Sequence, residues 1–530
     1  MSRVETQKAT LLSAWFFLTV ATLWLLKSVR VTALLIHLGA RETPYVRLAG
    51  VAAVGAAVLV YSIATSRMSR IALVRATCAA FAVALLASWI AVKAFGEELA
   101  SQRSFVWATY VLVDVYAVVM IQTFWTYTND VVTPDEANRL YGIIGLGGIL
   151  GGAFGGALVD FCASAISADD FMLIACGIVI ACAGLATITE RVLRPPPRRT
   201  EMDVSGGNLG SALAGVQEVA KSRYLLLIVG VVVGYELTAT LTDFGVNVIF
   251  EHAHLGEHQL AKMYGRLGWI ASGVGIVAQL ILVPLLLPSK RIALLLPPFA
   301  LLASVVGVVI LPVLATTIVM ASVDRGLNYS VQQSTRESLY VPLDDTQKYK
   351  AKAFIDMFVD HAAKAVASMI LLVLIAFDAT PRITLVCSMF AMLGWIVFAR
   401  RLGHYAGRAV PEPHAAAKIA RALAVPAAFE PVFATKTVEA RETPLSRVYL
   451  LDDDVLKVKK PVNLGGFFDL RSLAQREAAC VAEVKLNQRF APDVYKGVVP
   501  IVRRDGRLVV GGDGSPIEYA VHMRRLRDDG

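Results

Sequence analysis

Charged side chains lie inside stretches of the sequence that are otherwise apolar enough to cross a membrane. A charge at the centre of a bilayer costs about 2.5–3.5 kcal/mol on insertion scales, so such residues face one another or a water-filled cavity. A water-filled path lined by charges of both signs is suited to binding a charged solute. The residues concerned lie in the first, fourth, seventh and eleventh apolar runs: Lys27, Arg30, Asp114, Glu236, Asp243, Asp360 and Lys364.

The two cations of the first run are three residues apart and therefore share one face of a helix. Two positive charges on one face predict a site for an anion, to which Lys27 and Arg30 would both contribute. The alternative is that both side chains extend along the helix to the membrane interface.

The later runs carry carboxylates at helical spacing. Glu236 and Asp243 are seven residues apart on one face and no cation lies near them in their run, so their partner must be another helix, a bound cation or a proton. Asp356, Asp360 and Lys364 recur at four-residue spacing. Asp360 therefore either neutralises Lys364 locally or belongs to a substrate site with it, and the spacing leaves both open.

The elements that position these charges are twelve apolar runs, each close to the roughly 20 residues that a helix needs to cross a bilayer. The chain of 530 residues is 56% hydrophobic and 18% charged, with a mean hydropathy of +0.60, which excludes an ordinary soluble protein. The runs lie near residues 11–36, 45–65, 71–94, 105–129, 140–161, 171–191, 223–247, 262–287, 291–312, 313–332, 352–377 and 381–403.

Six runs lie on each side of a basic, proline-rich break at 195–199. Two six-helix repeats predict an all-α membrane protein of the major-facilitator type. Basic residues crowd the loops on one side of this arrangement, which places both termini in the cytoplasm. The expected membrane is a bacterial inner membrane. The net charge of +9 is explained by these loops, so no nucleic-acid partner is expected. The six cysteines form no CxxC pair, and neither a metal nor a cofactor is expected.

The last hundred residues contain no spanning run and read as a small α+β domain. Strands are expected at 447–451, 455–459, 497–502, 507–510 and 518–522, with a helix over 470–490 and a hairpin turn at Asp505-Gly506. The expected organisation is a first bundle at 1–192, a cytoplasmic loop at 193–222, a second bundle at 223–405, a linker at 406–429 and a cytosolic domain at 430–530.

A glycine-rich stretch at 145–156 resembles a phosphate-binding loop, but no Lys-Ser/Thr pair follows it. Its glycines recur every four residues, a spacing that lets two membrane helices approach closely. Helix packing is therefore the favoured interpretation. The two stripes are Gly147, Gly151 and Gly155, and Gly148, Gly152 and Gly156.

Two loop segments contain the most distinctive sequence motifs. The first reads FWTYTNDVVTPDEANRLY over 124–141, and the second reads RESLYVPLD over 336–344 followed by KAKAFID over 350–356. With LGARETPYVR at 38–47, they resemble motifs of the nucleotide transporter family of plastids and intracellular bacteria, the ATP/ADP antiporters. The resemblance covers residues 10–405 and implies a carrier of phosphorylated anions, with ATP and ADP as candidate substrates.

The resemblance also assigns individual residues. Lys27 and Arg30 match the basic pair of the family's first helix, Glu236 its seventh-helix acid, and Lys364 the basic residue after the ID motif. Asp114 stands one residue out of register with the fourth-helix acid. Val31 and Thr240 stand where the family has charged residues, so the likeness supports an anion carrier more strongly than ATP itself.

The tail resembles the amino-terminal lobe of aminoglycoside-phosphotransferase-like kinases, through segments such as VLKVKKPV at 455–462, REAAC at 476–480 and YAVHMRRL at 519–526. That likeness implies that Lys457 or Lys459 contacts nucleotide phosphates and that Glu483 is its helix partner. No catalytic loop with a His-x-Asp follows, so the protein is not expected to be an enzyme.

The sequence thus predicts a twelve-helix secondary carrier of an anionic metabolite that works by alternating access. Lys27, Arg30 and Lys364 would hold the anion, while Glu236 and Asp114 would reset the empty site or carry a proton. The alternatives are a membrane-tethered sensor whose cytosolic domain binds a nucleotide or a partner, and a proton-coupled carrier of an unrelated solute.

Overall fold

A computed structural model describes most of the chain in two compact units. The first comprises residues 1–338 and 346–402, and the second comprises 339–345 and 403–530; each is described by itself. Most of the central loop, residues 410–418 of the linker, the 341–350 motif segment and the Asp505-Gly506 turn lie outside the described residues. The described ranges are 3–132, 134–193, 216, 219–286, 289–340, 351–352, 354–409, 419–430, 432–443, 445–461, 463–464, 468–470, 472–504 and 507–526.

The first unit consists of long helices that follow the predicted apolar runs. The helices of the described chain are α1 Arg3–His37, α2 Thr43–Arg67, α3 Arg70–Ala100, α4 Arg103–Val131, α5 Pro134–Cys162, α6 Ala168–Leu193, α7 Arg223–His252, α8 Glu257–Leu286, α9 Lys290–Ile310, α10 Leu314–Leu327, α11 Asp360–Ala376 and α12 Pro381–Ala409. Helix α8 contains a π-helical turn at Ala278–Leu282. Helix α10 continues through another at Asn328–Gln332 into the helix Gln333–Tyr340, and α11 is preceded by one at Ile355–Val359.

Ten of these helices are long and apolar enough to cross a membrane by length and composition. The prediction of a multi-helix membrane array is therefore confirmed, but the prediction of twelve spanning helices is confirmed only in part. The two regions outside the ten are those of α10 and α11, which carry several charged residues and π-helical turns. As delimited by their π-helical turns, these two helices have only 14 and 17 residues, fewer than the roughly 20 that a spanning helix needs, and their charged residues make them candidates for lining a polar interior.

Two ends of the bundle are distinguished by the course of α1. At the end where α1 begins, which we call the near end, Lys8 Nζ donates to the carbonyl of Val131 at 3.2 Å. At the end where α1 finishes, the far end, the backbone N–H of Ala40 donates to Glu251 Oε2 at 3.1 Å. We call α1–α6 the N half and α7–α12 the C half.

The glycine stripes of α5 pack against neighbouring helices, as predicted. A Cβ added at Gly151 would lie 2.2 Å from the carbonyl oxygen of Phe17 on α1, so the two backbones are in direct contact there. A Cβ at Gly156 would lie 2.7 Å from the carbonyl oxygen of Gly265 on α8. The stripes therefore bring α5 against α1 within the N half and against α8 of the C half.

The second unit is built on a six-stranded antiparallel sheet in the order β1-β2-β3-β8-β6-β7. Its observed strands include every predicted one, displaced at their ends by a few residues. They are β1 Glu439–Glu442, β2 Ser446–Leu450, β3 Asp454–Lys459, β6 Tyr495–Arg504, β7 Arg507–Val510 and β8 Pro516–Arg524, and a separate pair consists of β4 Asn463–Leu464 and β5 Phe468–Asp469.

Helix α13, Leu473–Asn487, packs against β8 and β6 on one face of this sheet. Ser472 caps it, because its hydroxyl accepts from the backbone N–H of Gln475 while the Gln475 side chain accepts from the Ser472 N–H. Leu456 and Val458 of β3 enter the apolar core on the opposite face of the sheet. Side chains alternate along a strand, so Lys457 and Lys459 must point toward α13.

Candidate functional site

The N half holds a buried pair between α1 and α4. The guanidinium of Arg30 forms an ion pair with Asp114, donates to the carbonyl of Tyr110 at 3.3 Å and lies 4.2 Å above the centre of the Tyr110 ring. The Arg30 side chain is 11% exposed. Both residues had been predicted as parts of one site, and the structure brings them into direct contact.

Lys27 lies one turn earlier on α1 and points toward the C half. Its ammonium donates to the hydroxyl of Tyr329 on α10 at 3.4 Å and lies 5.2 Å from the centre of the Trp24 ring. None of the ion pairs formed between described residues includes Lys27. The alternative in which Lys27 extends to the membrane interface is therefore not what the structure shows.

In the C half, Lys364 of α11 lies between two carboxylates. Its Nζ is 2.7 Å from Asp360 Oδ2, one turn away, and 3.6 Å from Glu236 Oε2 on α7. The local Asp360–Lys364 pair forms, and Lys364 also contacts Glu236 of α7; a substrate role for the two residues stays a prediction. The partner of Glu236 comes from another helix.

Asp243 is held by two arginines from different halves of the bundle. Arg47 of α2 donates to its Oδ2 at 2.9 Å, and Arg325 of α10 donates to its Oδ1 at 3.0 Å. Arg47 also donates to the carbonyl of Thr240 at 3.5 Å. Each oxygen of this carboxylate therefore has a cation of its own, and the Arg47 contact joins the two halves.

These groups are close enough to interact as one set. Asp114 is within electrostatic range of Lys364, and Lys27 is within range of Asp243. All five residues predicted for the substrate site therefore belong to one assembly, which we call the central charge cluster. Its members are Lys27, Arg30, Arg47, Asp114, Glu236, Asp243, Asp324, Arg325, Asp360 and Lys364.

Arg47, Asp324 and Arg325 were missed as site residues from the sequence. The rule that selected the other members, a charge inside an apolar run, also applies to Asp324 and Arg325 in the tenth run. Arg47 had been noted only as part of a motif. It follows the expected start of the second run by two residues, where a basic residue ordinarily marks an interface.

Polar contacts join the halves at the far end of the bundle. Arg41 forms an ion pair with Asp378 at 2.8 Å, beyond the end of α11. The side-chain amide of Asn247 on α7 donates to the hydroxyl of Thr43 at 3.4 Å and accepts from the hydroxyl of Tyr264 at 2.7 Å. Together with the Ala40–Glu251 bond, these contacts hold α1 and α2 against the C half.

A second group of far-end contacts joins α5 to α8. Asp160, which is 5% exposed, accepts from Trp269 Nε1 at 2.9 Å and from Arg266 Nε at 3.3 Å. His258 Nδ1 lies 2.6 Å from the carbonyl oxygen of Ala163. The far end is therefore closed in this conformation by contacts that α2, the segment before it and α5 make with the C half.

The second unit brings together its three predicted residues. Glu483 of α13 accepts from Lys457 Nζ at 2.7 Å through Oε1 and forms an ion pair with Lys459 through Oε2. Burial raises the pKa of Glu483, but hydrogen bonds from both lysines outweigh this effect, so its pKa lies below the ordinary value. Two strand lysines thus share one helix carboxylate.

A further buried pair fixes α13 to the sheet. Arg476 is fully buried, and its Nε donates to both carboxylate oxygens of Glu518 on β8 at 2.8 and 2.9 Å. Its Nη1 donates to the carbonyl of Leu470 at 2.9 Å. Arg476 had been noted only within a motif, and its role is structural because it orients the helix that carries Glu483.

Ten apolar helices around a buried cluster of paired charges define a multi-pass membrane transporter. The fold agrees with that class. A crystal structure of the POT family transporter PepTSo superposes with a TM-score of 0.56 at 11% identity, over 77% of this chain and 98% of that one. The major-facilitator-like architecture predicted from the two groups of apolar runs is therefore confirmed.

The pattern of the TLC ATP/ADP transporter family matches residues 90–283 and 266–405, which is more than half of the sequence. The chain belongs to this family, as its loop motifs had indicated. The family is one of transporters and not of enzymes.

Two curated relatives show how far the likeness extends. The chloroplastic ADP,ATP carrier protein 1 of Arabidopsis thaliana is 23% identical over 302 residues, covering 49% of this chain and 47% of the relative. An uncharacterised protein of Mycobacterium tuberculosis is 38% identical over 98 residues, 18% of each chain. The chain thus spans about half the length of the carrier and less of the mycobacterial protein.

Proposed function

We propose that the protein is a secondary transporter that exchanges anionic phosphorylated metabolites, with ATP and ADP as its candidate substrates. The observation that carries this proposal is the position and the pairing of the cations in the N half. Lys27 points toward the C half and forms no ion pair with a described carboxylate, and Arg30 and Arg47 lie in the same cluster. An anion that enters between the halves would meet this ammonium group.

Substrate recognition follows from the types of side chain in the cluster. Guanidinium groups present paired N–H donors that fit phosphate oxygens, and an ammonium supplies a compact point charge. Lys27, Arg30 and Lys364 would contact the anion, and the carboxylates Glu236 and Asp114 would take these cations back when the anion leaves. The empty site would thereby remain neutralised during its return.

Alternating access would use the closed far end as one of its two states. With the far-end contacts made, the anion would enter and leave through the near end. Breaking the Arg47–Asp243, Arg41–Asp378 and Asp160–Arg266 contacts would let the halves rock apart there and expose the cluster to the other side. We further propose that both termini face the cytoplasm and that the membrane is a bacterial inner membrane, because basic loops gather at the near end.

The test is transport by the purified protein in liposomes. Uptake of labelled ATP, ADP and simple phosphorylated metabolites should depend on an unlabelled counter-substrate inside the vesicles. Lys27→Met should strongly reduce exchange at sub-saturating ATP, whereas Lys93→Met, which removes a half-exposed lysine paired with Asp170 on the N half, should leave it intact. Equal exchange by the two variants would refute the site, and no uptake of any phosphorylated anion would refute the function.

For the second unit, we infer a nucleotide-binding role that supports the sensor alternative as an added function. Lys457 is the more exposed of the two lysines, at 28%, and Glu483 orients it. Photoaffinity labelling of the full chain with an azido-ATP, followed by peptide mapping, should modify peptides within 430–530. Glu483→Gln should reduce that labelling while the label in the helical bundle persists, and unchanged labelling would refute this role.

A further inference from the structure

Asp324 is a buried carboxylate that the proposed transport site does not use. It lies on α10, is 8% exposed, and its Oδ1 makes no hydrogen bond to any residue that the structure describes. The adjacent Arg325 does not neutralise it directly, since its guanidinium is committed to Asp243 at 3.0 Å. A carboxylate in this position is costly to ionise.

The helices packed against α10 offer Asp324 no other cation. From α7, Asp243 and Tyr235 lie within its electrostatic range, and neither carries a positive charge. From α8, the segment that meets the neighbouring Gly326 contains Ala271 and Val274, and no titratable residue occurs from 267 to 286. Helix α9 has titratable residues only at its first two positions, 290 and 291.

We propose that Asp324 carries a proton through the transport cycle, so that solute exchange is coupled to proton movement. With the far end closed the carboxyl group is neutral. When the halves separate at the far end, Arg47 moves away with the N half and loses its contact with Asp243. Water then reaches the cluster. The O–H bond of the Asp324 carboxyl group then breaks, the proton passes to water and the carboxylate is solvated in its place.

The return step restores the proton. Closing the far end removes water from Asp324, and the carboxylate takes up a proton from the near side before it is buried again. One proton thus moves from the near side to the far side in each cycle. This inference rests on the proposed transport function, because it requires that the two halves alternate.

The transport test compares exchange with and without a pH difference across the liposome membrane, with the membrane potential clamped. We take the proton to travel with ATP and not with the returning ADP. A difference of one pH unit should then shift the steady-state ratio of the ATP gradient to the ADP gradient by about tenfold for a one-proton coupling. Asp324→Asn should remove this shift, while Asp324→Glu, which keeps a carboxyl group, should retain it. Asp170→Asn is the matched control, since Asp170 pairs with Lys93 within the N half and belongs neither to the central charge cluster nor to the contacts between the halves, and it should also retain the shift.

A wild-type ratio that does not respond to the pH difference would overturn the coupling, and so would a shift that persists in Asp324→Asn. Loss of the shift in Asp170→Asn or Asp324→Glu would overturn the assignment to Asp324. Failure of all exchange at equal pH would contradict the proposed function instead. Infrared spectroscopy separates the two cases, because the band of a protonated carboxylic acid should be present in the wild type and reduced in Asp324→Asn; an unchanged band would overturn the proton assignment.

Discussion

The two halves of the helical bundle contribute opposite charges to the central charge cluster. The N half supplies three cations, Lys27, Arg30 and Arg47, against the single carboxylate of Asp114. The C half supplies two cations against four carboxylates. Those C-half members are Arg325 and Lys364, with Glu236, Asp243, Asp324 and Asp360.

This difference separates the tasks of the two halves. The C-half cations are already neutralised by carboxylates of their own half, so they contribute less attraction to an incoming anion. The N-half cations differ from these. Arg30 pairs with Asp114 of its own half, and Lys27 has no ion pair with a described residue. Arg47 is neutralised across the interface by Asp243. An anion can replace Asp243 as the partner of Arg47, and binding would then weaken the contact that holds the halves together.

The largest expected effect on substrate affinity comes from removing an N-half cation. Lys27→Met should weaken ATP affinity by about 2–3 kcal/mol, or roughly 30- to 150-fold, since a charged hydrogen bond to the anion is lost. Lys364→Met should have a clearly smaller effect, because Glu236 and Asp360 already neutralise that lysine. Half-saturation constants for exchange in liposomes measure both. Equal losses would break the distinction between the halves.

Removal of the carboxylate that joins the halves should have the largest effect on the stability of the protein. Asp243→Asn leaves Arg47 and Arg325 without their shared partner, which costs about 3–5 kcal/mol when such a charge is buried. Thermal unfolding in detergent should show a lower midpoint. The double variant Arg47→Met/Asp243→Asn should recover part of the loss, because one of the two unpaired cations is then gone. Additive losses in the double variant would contradict a direct coupling.

Glycine substitutions test the helix contacts within and between the halves. Gly151→Ala places a methyl group against the α1 backbone and should destabilise the protein by about 1–3 kcal/mol. Gly177→Ala in α6 is the matched control, because nothing lies within 4 Å of a Cβ at that position. Its expected effect is neutral or a gain of about 0.5–1 kcal/mol from helix propensity. Equal destabilisation of the two variants, measured by unfolding, would mean that the stripe is not a packing surface.

The smallest effect on exchange is expected from the second unit, which belongs to neither half. Because the pKa of Glu483 is depressed in the folded protein, its pairing stabilises the fold above the unfolded pKa, and this contribution is lost as the pH falls through the lower folded value. Glu483→Gln should therefore lower the unfolding temperature at pH 7 and differ less from the wild type near pH 3. Exchange in liposomes at pH 7 should stay near the wild-type rate. A Glu483→Gln deficit that grows with acidity would contradict the pairing.

Periodicity predicted much of the fold because each element satisfies its own local rule. The strands of the second unit agree with the Val- and Leu-containing runs at 455–459 and 507–510, and the four-residue glycine spacing correctly indicated packing rather than phosphate binding. The number of spanning helices could not be fixed in the same way. Hydropathy alone does not distinguish a lipid-facing helix from one that carries charges such as Asp324 toward a protein interior.

The candidate site was predicted as a set of residues and not as a set of pairs. The sequence by itself determined that a set of charged residues had to be kept away from lipid, since a charge in hydrocarbon is costly whatever the fold around it. These residues are Lys27, Arg30, Asp114, Glu236 and Lys364. The tertiary structure decided which charge neutralises which. Arg47 reaches Asp243 across 196 positions of sequence, and such long-range contacts depend on how the halves pack rather than on any local spacing.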